Sequence, residues 1–192
     1  MSQAHQQPTT PAEFLAWEAK QDRKWEFDGT RPVAMNGVSI AHSLIQTNLA
    51  VALSTRLRGT SCRVFGPSLK VEIGRKYRYP DLFVSCSREP SGAYVVTEPV
   101  VIFEILSDST ARTDRTVKLV EYCSIPSLRR YVMLEQDQAL LTVVGRTSTG
   151  WSIEVLDRAG TLLLPELGIE VPVADVYEGL EFEPLPDAED GR

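Results

Sequence analysis

The chain has 192 residues, of which 43% are hydrophobic, and its formal net charge at pH 7 is −6. This length and composition suffice for one domain with its own core, and they exclude a small scaffold that depends on disulfides or a structural metal. The negative charge gives no overall attraction to nucleic acid, so phosphate binding would need a local basic patch or bound cations.

The cysteines Cys62, Cys86 and Cys123 are far apart and form no CxxC or Cys/His array. Their odd number and wide spacing argue against a disulfide framework and against structural zinc. No segment approaches the roughly 18 apolar residues that cross a bilayer, and the N-terminus has neither a basic start nor an apolar stretch. We therefore expect a cytoplasmic protein with reduced cysteines and no membrane association.

The first predicted element is a short helix from Thr10 to about Asp22. Its start combines an N-cap threonine, a proline at the first helical position and Glu13, which completes a capping box. A hairpin follows, because residues 25–31 alternate apolar with charged side chains around a turn signal. Glu26 lies in the first strand of this hairpin.

The clearest predicted helix runs from Ser39 to about Leu57, where apolar residues recur at three- and four-residue steps and Gly59 follows as a stop. His42 lies near its start, where a surface or cap-adjacent histidine is commoner than a ligand. Strand-like segments come next, at about residues 62–65, 68–74, 78–85 and 100–106.

A further helix is predicted after residues 107–110, which are rich in N-cap residue types, and it ends before Pro126. Lys118 lies on this helix. The remaining predicted strands are at about residues 128–135, 139–145, 151–156 and 161–164.

The predicted organisation is one domain over residues 10–180, without an internal repeat. Residues 1–9 are polar and rich in glutamine, and we expect a disordered tail there. Residues 181–192 are acidic, and we expect them to be mobile.

Two carboxylates lie in apolar, strand-like runs. Asp81 follows Pro80, and Glu104 interrupts the run at residues 100–106. An ionised carboxylate without a partner in such a run costs several kcal/mol, so Glu104 needs either a metal ion or a structural pair with Lys118 or an arginine. The interval between the carboxylates accommodates two neighbouring strands. Both can then converge on Mg2+ or Mn2+, since these ions prefer carboxylate oxygens.

Three further groups of polar residues are candidates for the site. Lys118 could orient an attacking water or stabilise negative charge in the transition state, although a solvated helix position is the alternative. Glu26 could join the acidic cluster or face water on a half-buried strand. Cations of a basic hairpin tip before Asp81 could contact phosphates, or they could be solvated turn residues: Arg75, Lys76 and Arg78.

These residues form a familiar pattern. Pro80-Asp81, then Glu104-Ile105-Leu106-Ser107, then Asp114, Lys118 and Tyr122 at four-residue steps resemble the Uma-two family of restriction-endonuclease-like proteins, in the PD-(D/E)XK nuclease superfamily. Trp25-Glu26-Phe27-Asp28-Gly29, His42 and residues 129–134 extend the resemblance across most of the chain.

The resemblance implies an α+β domain with a restriction-endonuclease-like mixed β-sheet core flanked by helices. It also implies Asp81 and Glu104 as metal ligands, Lys118 as a catalytic lysine displaced onto the helix, and Glu26 as an additional acidic residue. In the simplest form of the superfamily motif the lysine comes two residues after the second carboxylate, where this chain has Leu106. A homodimer is implied by the resemblance alone.

The functional prediction is a Mg2+- or Mn2+-dependent endonuclease that hydrolyses DNA phosphodiester bonds. The alternative is a catalytically idle binding or regulatory module with the same fold, which the acidic net charge and the lack of a recognisable DNA-reading domain favour. A site turned to RNA or another phosphate ester is a third interpretation.

Overall fold

The computed structural model describes residues 7–35, 37–107 and 114–182, and its strands form three sheets within those ranges. One sheet has the order β2-β1-β5-β4-β7, with β1 (Trp25–Phe27), β2 (Pro32–Ala34), β4 (Lys70–Ile73), β5 (Lys76–Arg78) and β7 (Val95–Val96). The larger sheet has the order β11-β10-β9-β8-β6-β3, with β3 (Arg63–Phe65), β6 (Leu82–Ser85), β8 (Pro99–Ile105), β9 (Arg130–Leu134), β10 (Leu141–Arg146) and β11 (Trp151–Leu156). The hairpin sheet consists of β12 (Thr161–Leu164) and β13 (Ile169–Pro172).

Both large sheets are mixed, as the expected fold class requires. β4 pairs with β7 and β8 with β9 in parallel, and the other ladders are antiparallel. Because β8 lies between antiparallel β6 and parallel β9, it is a central strand of the larger sheet. Glu104 is therefore carried by one of the best-supported strands in the fold.

The helices are α1 (Pro11–Glu18), α2 (Ile40–Arg56), a π-helical turn (Asp114–Lys118) that continues as α3 (Leu119–Cys123), and the short α4 (Val173–Val176). The predicted capping box of α1 is present, but α1 ends four residues before Asp22. Ser39 caps α2 by accepting a hydrogen bond from the His42 amide. In the described part of the chain, no helix has the length and apolarity needed to cross a membrane.

The prediction of a single strand at residues 78–85 was wrong. β5 ends at Arg78 in one sheet, and β6 begins at Leu82 in the other. Pro80 lacks an N–H for the ladder, and the Tyr79 amide donates to the Glu26 carboxylate instead of to a strand. The crossing between the two sheets places Asp81 at their junction.

Three short elements of the structure were not predicted, and one predicted helix cap lies outside the described residues. β7, β13 and α4 were not predicted; β7 is two residues long and α4 is four, too short for a periodic pattern. Residues 108–110 of the predicted cap, and the side chain of Asp114, lie outside the described residues.

The expectation of reduced cysteines was also wrong for two of the three. Cys62 and Cys86 form a disulfide, whereas Cys123 is a free thiol. Arg63 pairs with Ser85 in the β3–β6 ladder, so the residues next to this pair, Cys62 and Cys86, lie side by side. Wide spacing in the sequence did not prevent the bond, because the intervening β4 and β5 belong to the other sheet.

The core lies on both faces of the larger sheet. On one face, apolar residues of α2 such as Leu49 and Leu53 pack with Val101 and Phe103 of β8. On the other face, Ile102 packs in a second cluster with Tyr122 and with residues of β4, β7 and β9. Because side chains alternate along a strand, Glu104 shares the second face with Ile102 and points towards α3.

Candidate active site

Glu104 is held by two donors from one helical face. The Lys118 ammonium lies 2.9 Å from Glu104 Oε1, and the Tyr122 hydroxyl donates to the same oxygen at 2.7 Å. Residues four apart on a helix lie on the same side, which explains why both side chains reach the same carboxylate. All three residues are buried. The sequence left the partner of Glu104 open between a metal and a cation, and the structure provides a cation.

Tyr122 acts as a neutral hydrogen-bond donor in this arrangement. Burial raises the pKa of its phenol well above the ordinary value of 10.0, and the negative charge of Glu104 raises it further. The hydroxyl therefore keeps its proton across the physiological range. It satisfies part of the buried Glu104 carboxylate without adding a charge.

Glu26 lies on the other side of Lys118. Its Oε1 is 3.8 Å from the Lys118 ammonium and accepts a hydrogen bond from the Tyr79 amide at 3.1 Å. Its Oε2 accepts from Arg78 at 3.1 Å. Lys118 thus lies between two carboxylates from different sheets, Glu26 on β1 and Glu104 on β8.

Asp81 lies beside Glu104 at the end of β6. Leu82, the first residue of β6, pairs with Phe103 of antiparallel β8. Asp81, which directly precedes Leu82, is therefore next to Glu104, which directly follows Phe103. The Ile105 amide donates to Asp81 Oδ2 at 2.7 Å, and Nε2 of His42 is 3.1 Å from the same oxygen. The structure thus brings together the four residues proposed from sequence: Glu26, Asp81, Glu104 and Lys118.

Arg78 does not lie at the hairpin tip, which corrects the expectation that it is an accessible phosphate contact. Its side chain is only 5% exposed and binds Glu121 through Nε at 2.8 Å and through a terminal nitrogen at 3.0 Å. Lys76 also binds Glu121, at 2.7 Å. Among the three basic residues, Arg75 is exposed at the β4–β5 turn.

The Arg78 pair is fully ionised. Burial acts to lower the pKa of the guanidinium, but the hydrogen bonds that it donates to Glu121 and the charge of Glu26 raise that pKa above its ordinary value. Burial likewise acts to raise the pKa of Glu121, yet the hydrogen bonds from Arg78 and Lys76 lower it overall. Arg78 therefore supplies a permanent positive charge next to Glu26.

A second buried triad lies on the other side of Tyr79. Lys70 is 2.8 Å from Glu18 Oε2, and the Tyr79 hydroxyl donates to Glu18 Oε1 at 2.7 Å. The Tyr79 amide, in contrast, binds Glu26. One residue thus connects this triad with the candidate site.

The carboxylates fit an open two-ligand metal site and not a closed one. Within the described residues, no three His, Cys, Asp or Glu side chains are grouped as ligands of one ion. Asp81 directly precedes β6 and is next to Glu104 in the register of β6 with β8, and Mg2+ is commonly held by one or two carboxylates with water in the other positions. Among the residues that the structure describes, none is a hydrogen-bond partner of Asp81 Oδ1.

Sequence reasoning missed or undervalued several residues of this cluster. Tyr122 was signalled by its four-residue step from Lys118, which places both on one helical face. His42 was weighed and set aside as a surface histidine. Glu121 gave no signal, because its partner Arg78 is 43 positions away in the sequence.

The chain is similar to curated proteins and to a solved structure. Two uncharacterized proteins from Synechocystis are each 30% identical to this chain: one over 177 residues, which is 90% of this chain and 93% of its own length, and the other over 133 residues, which is 66% and 75%. A crystal structure described as a putative nuclease belonging to DUF820 from Anabaena variabilis matches with a TM-score of 0.72 at 20% identity. The match covers 88% of this chain and 98% of that one, and it confirms the restriction-endonuclease-like fold.

The family assignment rests on most of the chain. The sequence profile of the Uma2 (Uma-two) family, described as "Putative restriction endonuclease", matches residues 11–174. This range includes both sheets, α2 and α3, and hence every residue of the candidate site. The chain therefore belongs to the Uma2 family.

Proposed function

We propose that this protein is a Mg2+- or Mn2+-dependent endonuclease that hydrolyses phosphodiester bonds in DNA. The family description supports nuclease function and a nucleic acid substrate. The observation that carries the proposal is the position of Lys118, 2.9 Å from Glu104 and 3.8 Å from Glu26, with Asp81 beside Glu104. Two carboxylates at one buried lysine, with a third residue of this kind next to Glu104 in the sheet, are more than a structural ion pair requires.

Asp81 and Glu104 would hold the metal ion through carboxylate oxygens. When bound, a divalent ion polarises the phosphodiester and lowers the pKa of a coordinated water. The hydrogen bonds from Tyr122 and from the Ile105 amide restrict the two carboxylates to fixed orientations. These contacts support the proposal, because carboxylates held in fixed orientations need little reorganisation before a metal binds.

Lys118 supplies positive charge at the point where negative charge develops on the reacting phosphate. A fixed charge in a water-excluded site stabilises such a transition state more strongly than it would in water. Glu26 and Glu104 hold the ammonium between them. Arg78 also pairs with Glu26. The negative charge of Glu26 is therefore shared between two cations and does not fully compensate the positive charge of Lys118.

The substrate must approach a chain with a net charge of −6. Exposed Arg75 and partly exposed Lys76 at the β4–β5 turn are proposed as local phosphate contacts. Arg78 has no such role, since Glu26 and Glu121 occupy it. Binding should therefore weaken only shallowly as salt is added, because the slope of log affinity against log salt concentration scales with the number of phosphates that cations neutralise.

The test is cleavage of supercoiled plasmid at low salt with Mg2+, Mn2+ or EDTA, with single-stranded DNA and RNA as parallel substrates. Wild type is compared with Asp81→Ala and Lys118→Met, and Lys70→Met serves as the control for loss of a buried lysine. We expect metal-dependent nicking that both site variants lose and the control keeps. Equal cleavage by all four proteins would indicate a contaminating nuclease, and no cleavage by wild type with either metal would contradict the proposal.

A second candidate function is a catalytically idle binding or regulatory module. It is favoured by the fact that Lys118 and Glu104 already neutralise each other. Such a module would bind nucleic acid equally well with EDTA and with Mg2+ and would gain no thermal stability from Mn2+. Anisotropy of labelled duplex DNA and thermal unfolding with and without Mn2+ separate the two functions.

A homodimer is also proposed. It is supported by β11, an edge strand of the larger sheet on which Ile153 is 68% exposed and Val155 is 59% exposed. Long apolar edge strands tend to pair with another chain. Light scattering after size exclusion measures the mass, and Ile153→Lys should give a monomer if this edge forms the interface.

A further inference from the structure

His42 combines two properties that a surface histidine would not have. The residue lies in the first turn of α2, is only 5% exposed and places Nε2 3.1 Å from Asp81 Oδ2. Its other ring nitrogen, Nδ1, is buried and has no hydrogen-bond partner among the residues that the structure describes. Asp81 is thus the polar partner of this ring.

The unpartnered Nδ1 is unfavourable for folding. A buried polar group without a partner costs about 1–3 kcal/mol, and an apolar side chain of similar volume would avoid that cost. Core packing therefore does not explain a histidine at this position. The contact with Asp81 is the remaining interaction through which the ring contributes.

α2 fixes Asp81 at two points. His42 reaches the side-chain oxygen Oδ2, and Gln46, one helical turn later, donates to the Asp81 backbone carbonyl at 2.8 Å. From the opposite side, the Ile105 amide of β8 donates to the same Oδ2 at 2.7 Å. The hydrogen bond from Ile105 and the contact with His42 both fall on Oδ2, and they leave Oδ1 as the oxygen without a partner among the described residues.

We propose that His42 is a positioning residue, which holds Asp81 through a hydrogen bond from Nε2 so that Oδ1 is available as a metal ligand beside Glu104. His42 itself touches neither metal nor substrate. The inference rests on the proposed metal-dependent function and deepens it, because it assigns to His42 the orientation of the Asp81 carboxylate. Outer partners of this kind typically change metal affinity or activity by about 10–100-fold when they are removed.

Two substitutions separate the hydrogen bond from the ring. In His42→Gln, the side-chain amide nitrogen lies as many bonds from Cα as Nε2 does, so a donor to Asp81 is kept. In His42→Asn, the amide reaches only as far as Nδ1, so that donor is lost. Both variants remove the ring and both introduce an amide, which makes each the control of the other.

Three measurements read out the position of Asp81. Mn2+ affinity is measured by electron paramagnetic resonance, steady-state cleavage gives kcat and KM separately, and the exchange rate of the Ile105 amide is measured by NMR without metal. We expect His42→Asn to weaken Mn2+ binding about tenfold or more, to lower kcat with little change in KM for DNA, and to speed exchange at Ile105. His42→Gln should restore most of each value.

Wild-type Mn2+ affinity and Ile105 exchange in His42→Asn would overturn the proposal, as would equal losses in both variants. If wild type binds no Mn2+, the proposed function fails, and Ile105 exchange alone then decides whether His42 positions Asp81.

A measurement on the unaltered protein covers the case in which His42→Asn does not fold. The chain has two histidines, so their ring nitrogen signals are readily assigned. A proton on Nε2 of His42 supports the proposal, and an unprotonated Nε2 overturns it.

Discussion

Two buried triads in this fold have nearly the same chemistry. In the Glu104 triad, Lys118 and Tyr122 bind Glu104 at 2.9 and 2.7 Å. In the Glu18 triad, Lys70 and Tyr79 bind Glu18 at 2.8 and 2.7 Å. All six side chains are buried. A lysine, a glutamate and a tyrosine in contact therefore do not by themselves identify an active site.

The difference lies in the surroundings of the two lysines. Lys118 also faces Glu26, and Asp81 lies beside its partner Glu104. Lys118 and Tyr122 both bind Oε1 of Glu104, and Lys70 and Tyr79 bind one oxygen of Glu18 each. The Glu18 triad is thus saturated as a structural ion pair. The additional carboxylates around the Glu104 triad distinguish it from the Glu18 triad and support the proposal that it holds a cation.

The strongest test of this comparison replaces each lysine in turn. Lys118→Met and Lys70→Met each leave a buried glutamate without its cation, which costs about 3–5 kcal/mol in either triad. Lys118→Met should in addition lower the cleavage rate about 100-fold or more, since it removes a charge that stabilises the transition state. Urea unfolding and single-turnover cleavage at a temperature where both variants are folded measure the two effects. Equal loss of activity in the two variants would remove the functional distinction between the triads.

Glu121→Gln tests the support of the Glu104 triad from outside. The change leaves the buried Arg78 with one carboxylate partner fewer, and we expect a loss of about 3 kcal/mol in the free energy of unfolding. Urea denaturation measures this loss, with Lys70→Met as the comparison. An unchanged midpoint would mean that Glu26 alone compensates Arg78.

A smaller difference is expected from the two tyrosines. Tyr122→Phe and Tyr79→Phe each remove a hydroxyl that donates to a charged carboxylate, so each should cost about 1.5–3 kcal/mol of stability. Only Tyr122→Phe should reduce kcat, because only Tyr122 orients a proposed metal ligand. Thermal unfolding and plasmid cleavage check the pair. A decrease of kcat in Tyr79→Phe as large as in Tyr122→Phe would contradict the comparison.

The smallest predicted effect is on acid stability. Because the pKa of Glu121 is lowered from its ordinary value of 4.5 by Arg78 and Lys76 despite burial, its ionised form stabilises the folded state. That contribution is complete above pH 4.5 and is lost as the pH falls through the lowered pKa. Glu121→Gln should therefore flatten the decline in stability below pH 4.5. Urea unfolding at a series of pH values measures the slope, and parallel slopes would assign the decline to other carboxylates.

The parts of the fold that were predictable from sequence are those set by local chemistry. The cap of α1 at Thr10 and the extent of α2 follow from side chains a few positions apart, and the structure confirms both. The division of residues 78–85 between two sheets was not predictable, because it depends on Glu26 accepting the Tyr79 amide from 53 positions away. The disulfide between Cys62 and Cys86 was not predicted either, because it depends on the pairing of β3 with β6 and not on neighbouring residues in the sequence.

The candidate site shows the same limit. Asp81 and Glu104 were noticeable because charge in an apolar run needs a partner. Glu26 and Lys118 were selected through the family resemblance, since either could have been a solvated residue on its own element. Glu121 could not be inferred, because nothing near it in the sequence indicates a buried Arg78.

The π-helical turn before α3 separates the position of Lys118 from the strand that carries Glu104. A π-helical turn contains more residues than an α-helical one, so it can absorb an insertion without changing the helix after it. Lys118 is the last residue of that turn, and its direction is set downstream by Tyr122, which is anchored in the core. The position of the ammonium beside Glu104 is therefore set by the helix that follows Lys118, through Tyr122, and not by the strand that carries Glu104.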